Sequence, residues 1–246
     1  MTLRPLHIIM PMAGEGSRFS QAGWITPKPL IELNGVPLFR HAISSVHDDD
    51  ISMKYSFIVR QNHIDEYAID KEILSIFPEA NIFSVRKTTR GAVETCLMAE
   101  NAIDDNDAVI VMDCDLEFRS KRFMELIKEA LHTSGDEAEG GALVSFESDS
   151  PKYSYATVDQ DNVVLRTAEK EVISSHALCG AYFFSSGKRF KQIAHQLMNE
   201  QNFAKPEYYV SLLFNYLIAA GEKVHLAPME EYYSYGTPEE LKRYLR

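Results

Sequence analysis

Short unbroken apolar runs alternate along the chain with segments in which apolar residues recur every three or four positions. Leu6 to Met12 (LHIIMPM) reads as a buried strand, followed by a long loop, Ala13 to Lys28, rich in Gly, Ser, Thr and Pro. Pro37 to Val46 has helical spacing, Tyr55–Arg60 (YSFIVR) reads as a second strand, Ile64–Phe77 as a helix and Asn81–Val85 as a third strand. A helix starting near Gly91 leads to Ala108–Met112 (AVIVM), the most continuous buried-strand pattern in the chain. Phe123, Leu126, Ile127, Ala130 and Leu131 form the stripe of an amphipathic helix, and Gly141–Phe146 is the next strand. Strand and helix thus alternate through residue 146, which predicts an α/β fold with a mostly parallel central sheet flanked by helices.

The pattern then changes. Tyr155–Val158, Val163–Thr167 and Leu178–Phe184 are strand-like with no helix between them, which predicts a small antiparallel lobe, with Asp161-Asn162 as one of its turns. Two helices follow, Gly187–Gln201 and Pro206–Ala220, the second closed by Gly221, and then a strand at Val224–Ala227. Thr237-Pro238-Glu239-Glu240 opens a last helix with the signature of a capping box. With no repeat, low-complexity tract or Pro/Ser-rich linker, residues 1–246 read as a single domain.

Composition narrows the function. The 246 residues carry a net charge of −11, which disfavours a general nucleic-acid binder but not a nucleotide enzyme, where a metal ion and a few cations hold the phosphates. Cys96, Cys114 and Cys179 are dispersed and lack metal-ligand spacing, as expected of a protein in a reducing cytoplasm. The apolar start is broken by Pro11 and runs into a glycine loop, so it reads as a strand rather than a signal peptide, and no stretch approaches membrane-spanning length. A cytoplasmic protein without membrane or nucleic-acid partners is expected; a homo-oligomer is admitted.

Two constellations carry chemistry. The first strand is followed by Ala13-Gly14-Glu15-Gly16-Ser17-Arg18-Phe19, where glycines let backbone N–H groups approach phosphate oxygens. It is neither a dinucleotide fingerprint, since Phe19 stands where a third glycine belongs, nor a P-loop. Arg18 follows the glycines, and Lys28 lies between two prolines in Thr26-Pro27-Lys28-Pro29-Leu30. The second constellation, Val111-Met112-Asp113-Cys114-Asp115, puts two carboxylates at the C-terminal end of a parallel strand, where open α/β sheets bind ligands. Asp113 and Asp115, expected on one face, suit a magnesium ion. Taken singly, each motif also reads as an ordinary turn.

Together, M-A-G-E-G-S-R-F, P-K-P-L-I and D-C-D-L-E-F resemble the sugar-phosphate nucleotidylyltransferases, the nucleoside-diphosphate-sugar pyrophosphorylases. The likeness continues through Glu169-Lys170, through Ala177–Phe184 and to Tyr235-Gly236-Thr237-Pro238. The resemblance implies a Rossmann-like, GT-A-like fold whose residues 1–146 hold the nucleotide and 147–246 the acceptor. It implies a nucleotide-binding set of Ala13, Gly14, Gly16, Ser17, Gly91 and Ala92, with Gly91 and Ala92 leaving room for the base. It implies Arg18 on the β- and γ-phosphates, Lys28 at the α-phosphate, and Mg2+ on Asp115 with Asp113. For the second substrate it implies Lys170 on the phosphate, Glu169 on hydroxyls and Gly180 in the pocket floor. The partners would be a nucleoside triphosphate and a phosphorylated small molecule.

Two departures stand out. Relatives carry a second metal-binding Asp two residues before the late Gly-Thr; here the residue is Ser234, with Asp113, Glu230 or Glu231 as candidates to compensate. Arg86 stands where uracil- or thymine-specific relatives carry Gln, which leaves the base open, cytosine included. Three alternatives remain at this point: a cytidylyltransferase for a non-sugar phosphate such as phosphocholine, a GT-A-type glycosyltransferase, and a non-catalytic nucleotide-binding relative. None of the eight histidines reads as catalytic.

Overall fold

The computed structural model describes residues 3–134, 138, 140–201 and 207–245. β1 (Leu6–Met12) runs into a loop holding a short helix, α1 (Ser17–Gln21), and one 3-10 turn at Lys28–Leu30. The ribbon of β2 (Glu32–Leu33) and β3 (Val36–Pro37) delivers α2 (Leu38–Ser44). Then come β4 (Met53–Arg60), α3 (Gln61–Tyr67), α4 (Ile69–Ile76), β5 (Asn81–Val85), α5 (Ala92–Leu97) and β6 (Ala108–Met112). β7 (Leu116–Arg119), α6 (Lys121–Leu131) and β8 (Gly141–Glu147) follow, and after them β9 (Ser154–Val158), β10 (Val164–Glu169) and β11 (His176–Phe184). The remaining elements are α7 (Gly187–Asn199), α8 (Leu213–Ala219), β12 (Val224–Pro228), β13 (Glu231–Ser234) and α9 (Pro238–Lys242).

Seven strands make the central sheet in the order β5-β4-β1-β6-β11-β8-β12. Pairing is parallel throughout except at β11, which lies antiparallel to both β6 and β8. β9 and β10 form an antiparallel hairpin attached to β11 through Ala177 and Tyr155. A separate ladder joins β7 to β13.

The unbroken apolar runs of β1 and β6 follow from burial on both faces. Leu6, Ile8 and Met10 of β1 and Ala108, Ile110 and Met112 of β6 pack beneath residues of α2, α4 and α6. Ile9, Val109 and Val111, the alternate positions, pack against α5, α7 and α8. Ser120 caps α6 by accepting from the Phe123 N–H, and Ser186 caps α7 in the same way.

The structure corrects several expectations. The stripe from Ile64 to Phe77 is two helices, broken at Ala68, whose φ of 51° no helix can continue through. The segment expected to be one helix from Pro206 to Ala220 enters as a 3-10 turn at Val210–Leu212 and becomes α-helical only at Leu213; residue 206 lies outside the described residues. β11 was expected in the antiparallel lobe but stands inside the main sheet, leaving only β9 and β10 outside it. The capping box at Thr237 is half formed. Its side chain accepts from the Glu240 N–H, but the Glu240 carboxylate turns away to Lys152 and Ser234.

Candidate active site

Parallel strands bring their C-terminal ends to one edge of a sheet, and the loops after β1 and β6 meet there. A cleft of about 560 Å³ lies against them, bordered by Gly14, Gly16, Arg18, Lys28, Asp113 and Asp115. A second cleft, about 320 Å³, opens over β11 and the β9–β10 hairpin and is bordered by Ala92, Glu169, Lys170 and Gly180. The two share Arg18, Asp113, Asp115 and Glu207. Of the residues singled out from the sequence, Ala13, Ser17 and Gly91 border neither cleft, and Ala92 borders the second rather than the first.

At the junction Lys28 Nζ lies 2.7 Å from Asp115 Oδ2. Pro27 and Pro29 hold the backbone on either side, and the 3-10 turn begins at Lys28 itself. Burial works against the Lys28 charge, but Asp115, with Cys114 and Asp113 behind it, outweighs burial and raises its pKa. Asp113 follows β6 and is open to the cleft on one side, with protein on the others. That partial burial and the Asp115 charge push its carboxyl well up; Lys28 pulls it down and Glu169 adds to the rise. The two aspartates face the same cleft, although Asp113 lies beyond the last residue of the strand and not on its alternating face.

Gly180 explains part of this arrangement. Its φ is +95°, and a Cβ there would stand 2.4 Å from Asp113 Oδ2. Its carbonyl accepts from the Asp113 N–H at 2.9 Å. The pairing of β11 with β8 shifts register between Leu178 and Tyr182, so a bulge centred on Gly180 bends the strand around the carboxylate.

On the far side of the second cleft, Glu169 Oε2 accepts from Ser154 Oγ at 2.5 Å and from Ser211 Oγ at 2.8 Å. Lys170 has a φ of 55° and lies over the Tyr209 ring, 4.4 Å from its centroid, with Nζ hydrogen-bonded to the Tyr209 hydroxyl. Glu169 and Lys170 therefore present a fixed carboxylate and a fixed ammonium to one space.

A profile of the nucleotidyl transferase family matches residues 6–232. The chain belongs to that family. Among solved structures, a nucleoside-diphosphate-sugar pyrophosphorylase from Vibrio cholerae RC9 is similar at a TM-score of 0.80 and 25% identity, covering 97% of this chain and 99% of that one. An inositol-1-phosphate CTP transferase from T. maritima shares the fold at a TM-score of 0.71 and 16% identity, covering 99% of this chain and 94% of that one. Nucleotidyl transferase membership makes the chain an enzyme, a nucleotidylyltransferase. The glycosyltransferase alternative is set aside by the same match.

Several residues of this nucleotidyl transferase escaped the sequence reading. Arg60, at the end of β4, donates to the Ala13 carbonyl at 3.2 Å and to Thr88 Oγ1 at 3.3 Å, while Thr88 donates to Glu15 at 2.9 Å. This network ties the first glycine loop to residues 86–91. His63 borders the first cleft; burial, then Arg60, lowers its pKa, and its Nδ1 has no hydrogen-bond partner among the described residues. Glu230 and Glu231, raised as stand-ins for the missing carboxylate at Ser234, are engaged elsewhere. Glu230 accepts from the Lys121 N–H at 3.1 Å, and Glu231 pairs with Arg119 at 2.5 Å. The acid beside Ser234 is Glu240, 2.9 Å from its hydroxyl.

Proposed function

We propose that this enzyme transfers a nucleoside monophosphate from a nucleoside triphosphate to a sugar 1-phosphate, with magnesium, releasing pyrophosphate and forming a nucleoside-diphosphate sugar. The observation that carries this reading is the meeting of two clefts at Arg18, Asp113 and Asp115, with Lys28 on one side and Lys170 on the other. The triphosphate occupies the first cleft, where Arg18 takes its outer phosphates and Lys28 its α-phosphate. The acceptor phosphate sits on Lys170 in the second, with its hydroxyls on Glu169. An acceptor oxygen then attacks the α-phosphorus in line, pyrophosphate leaves, and alignment and fixed positive charge supply the rate. The nucleophile is already anionic at neutral pH, so no general base is needed.

The relatives named above support a phosphorylated, hydroxyl-rich acceptor, as does the second cleft. Lys152 and Lys170 lie over the Tyr153 and Tyr209 rings at 4.7 and 4.4 Å, and these two cations favour an anionic acceptor over the quaternary ammonium of phosphocholine. Assay of four triphosphates against sugar 1-phosphates, inositol 1-phosphate and phosphocholine, read by pyrophosphate release, tests the reading. Release with no pair would refute it.

Magnesium fits the donor set. Asp113 and Asp115 offer hard oxygen, and two carboxylates where a triphosphate must lie would repel it without a cation between them. Among the described residues no group of three or more His, Cys, Asp or Glu is gathered to hold a metal unaided, so the triphosphate oxygens are expected to complete the shell. Bound there, the ion would neutralise charge on the leaving pyrophosphate. Turnover is expected to vanish in excess chelator and to return with magnesium; undiminished turnover would exclude a metal requirement.

Lys170→Met keeps the stem over Tyr209 and removes the charge. It is expected to raise the acceptor KM by about ten- to a hundredfold, the worth of one charge-assisted hydrogen bond, and to spare triphosphate affinity. Calorimetry with each substrate separates this from a structural role, in which both affinities would fall together.

A further inference from the structure

Ser234 sits at the end of β13, where the Tyr235 N–H donates to the Asp115 carbonyl at 2.8 Å and draws the 234–236 segment against the carboxylate loop. Gly236 leaves a gap there. A Cβ at that position would lie 3.3 Å from Asp115 Oδ2, 3.4 Å from Glu240 Oε2 and 3.8 Å from Ser234 Oγ. The Asp115 and Glu240 carboxylates therefore both close on this gap, which is too tight to take a Cβ without one of them giving way. Glu240 reaches this place because Thr237 and Pro238 start α9 immediately beyond the gap, which turns the third helical residue back over it.

The two oxygens of Glu240 do different things. Oε2 faces the gap and accepts the Ser234 hydroxyl, while Oε1 holds Lys152 Nζ at 2.6 Å. Lys152 is half exposed, lies over Tyr153 and borders the second cleft together with Lys170. A serine at 234 suits this arrangement. An aspartate would set a third carboxylate beside Asp115 and Glu240, whereas the hydroxyl donates to Glu240 and orients it.

We propose that Glu240 supplies a further protein carboxylate toward the metal of the reaction, beside those of Asp113 and Asp115 and in the place left by Ser234, and that Lys152 neutralises it until the metal arrives. With Glu240 on the cation, Lys152 would be free to face the acceptor phosphate. Metal loading and acceptor binding are thereby coupled through one ion pair. The inference rests on the nucleotidyl-transfer reading and adds to it two residues, Glu240 and Lys152, that the family likeness does not mark.

The test measures the affinity of a triphosphate analogue with a non-cleavable α–β bridge, by calorimetry with and without magnesium. The ratio of the two affinities is the metal coupling. Glu240→Gln is expected to lower that coupling by about tenfold, the lower end of what altering a metal's surroundings costs. Lys152→Met removes the competitor for the same carboxylate and is expected to leave the coupling at the wild-type level or above it. If Glu240 serves only to fasten α9 to Lys152, both variants remove the same ion pair and are expected to change the metal coupling alike. Wild-type coupling in Glu240→Gln, or an equal fall in both variants, overturns the proposal. Pyrophosphate release by the wild type is measured alongside: its absence is a failure of the functional reading, while intact release with unchanged coupling in Glu240→Gln is a failure of this inference alone.

Discussion

Lys28→Ala is expected to lower kcat by about a hundredfold or more, the usual loss when one fixed electrostatic stabiliser is removed, with triphosphate affinity in magnesium changed far less. The asymmetry follows from where the ammonium sits. Before nucleotide arrives, Lys28 is already compensated by Asp115 at 2.7 Å, so it gains little from a ground-state phosphate. Its advantage comes as charge builds around the α-phosphorus, and only interactions stronger in the transition state than in the ground state raise kcat. The position is rigid, held by Pro27 and Pro29 with the side chain packed beside Gly16, so the charge needs no reorganisation when the bond order changes. Steady-state kinetics with calorimetry on the analogue complex decides the matter. A change confined to KM would place Lys28 in ground-state binding instead.

Gly91→Ala is expected to cost stability, by about 2–6 kcal/mol, from backbone strain and overpacking together. The likeness to relatives assigns Gly91 to making room for a base, but its missing side chain makes room for this chain's own backbone. A Cβ would fall 2.5 Å from the Tyr208 nitrogen and 2.6 Å from its oxygen, at a φ of +128°. The approach is pinned on both sides, the Tyr208 N–H donating to the Arg90 carbonyl at 2.8 Å and the Val93 N–H to the Tyr208 carbonyl at 3.1 Å. Against a total stability of about 5–15 kcal/mol, such a loss is large. The midpoint of urea unfolding measures it. An unchanged midpoint would mean that the 207–209 segment moves aside freely, and would return Gly91 to ligand binding alone.

The sequence pattern resolved what depends on continuous burial and missed what depends on pairing at a distance. β1 and β6 match their apolar runs residue for residue, because strands covered on both faces have little choice of composition. β7 and β13 are four residues each, mix polar with apolar positions, and exist as strands only because they find each other across the chain. The break between α3 and α4 was hidden because the apolar stripe continues through Ala68, a residue with no turn preference of its own. In the site, Arg18, Lys28 and Asp115 were legible because each lies within a few residues of a glycine, proline or acidic motif. Glu240 carried only the signal of a helix cap. Its carboxylate meets Asp115 through the return of β13 alongside β7, which no local spacing records.

The insertion of β11 between β6 and β8 has a consequence for synthesis. As the chain leaves the ribosome, β1, β4, β5 and β6 can pair with one another, but the open edge of β6 waits for residues 181–184. β8 is made before β11 and has no partner on that side until then. Through all the intervening residues the nascent protein exposes AVIVM as an unpaired strand edge, the kind of surface on which chains stick to one another. Residues 1–146 therefore cannot complete the sheet by themselves, and its closure falls late, once most of the polypeptide has emerged. A chaperone that shields a nascent strand edge would have its longest task here on β6.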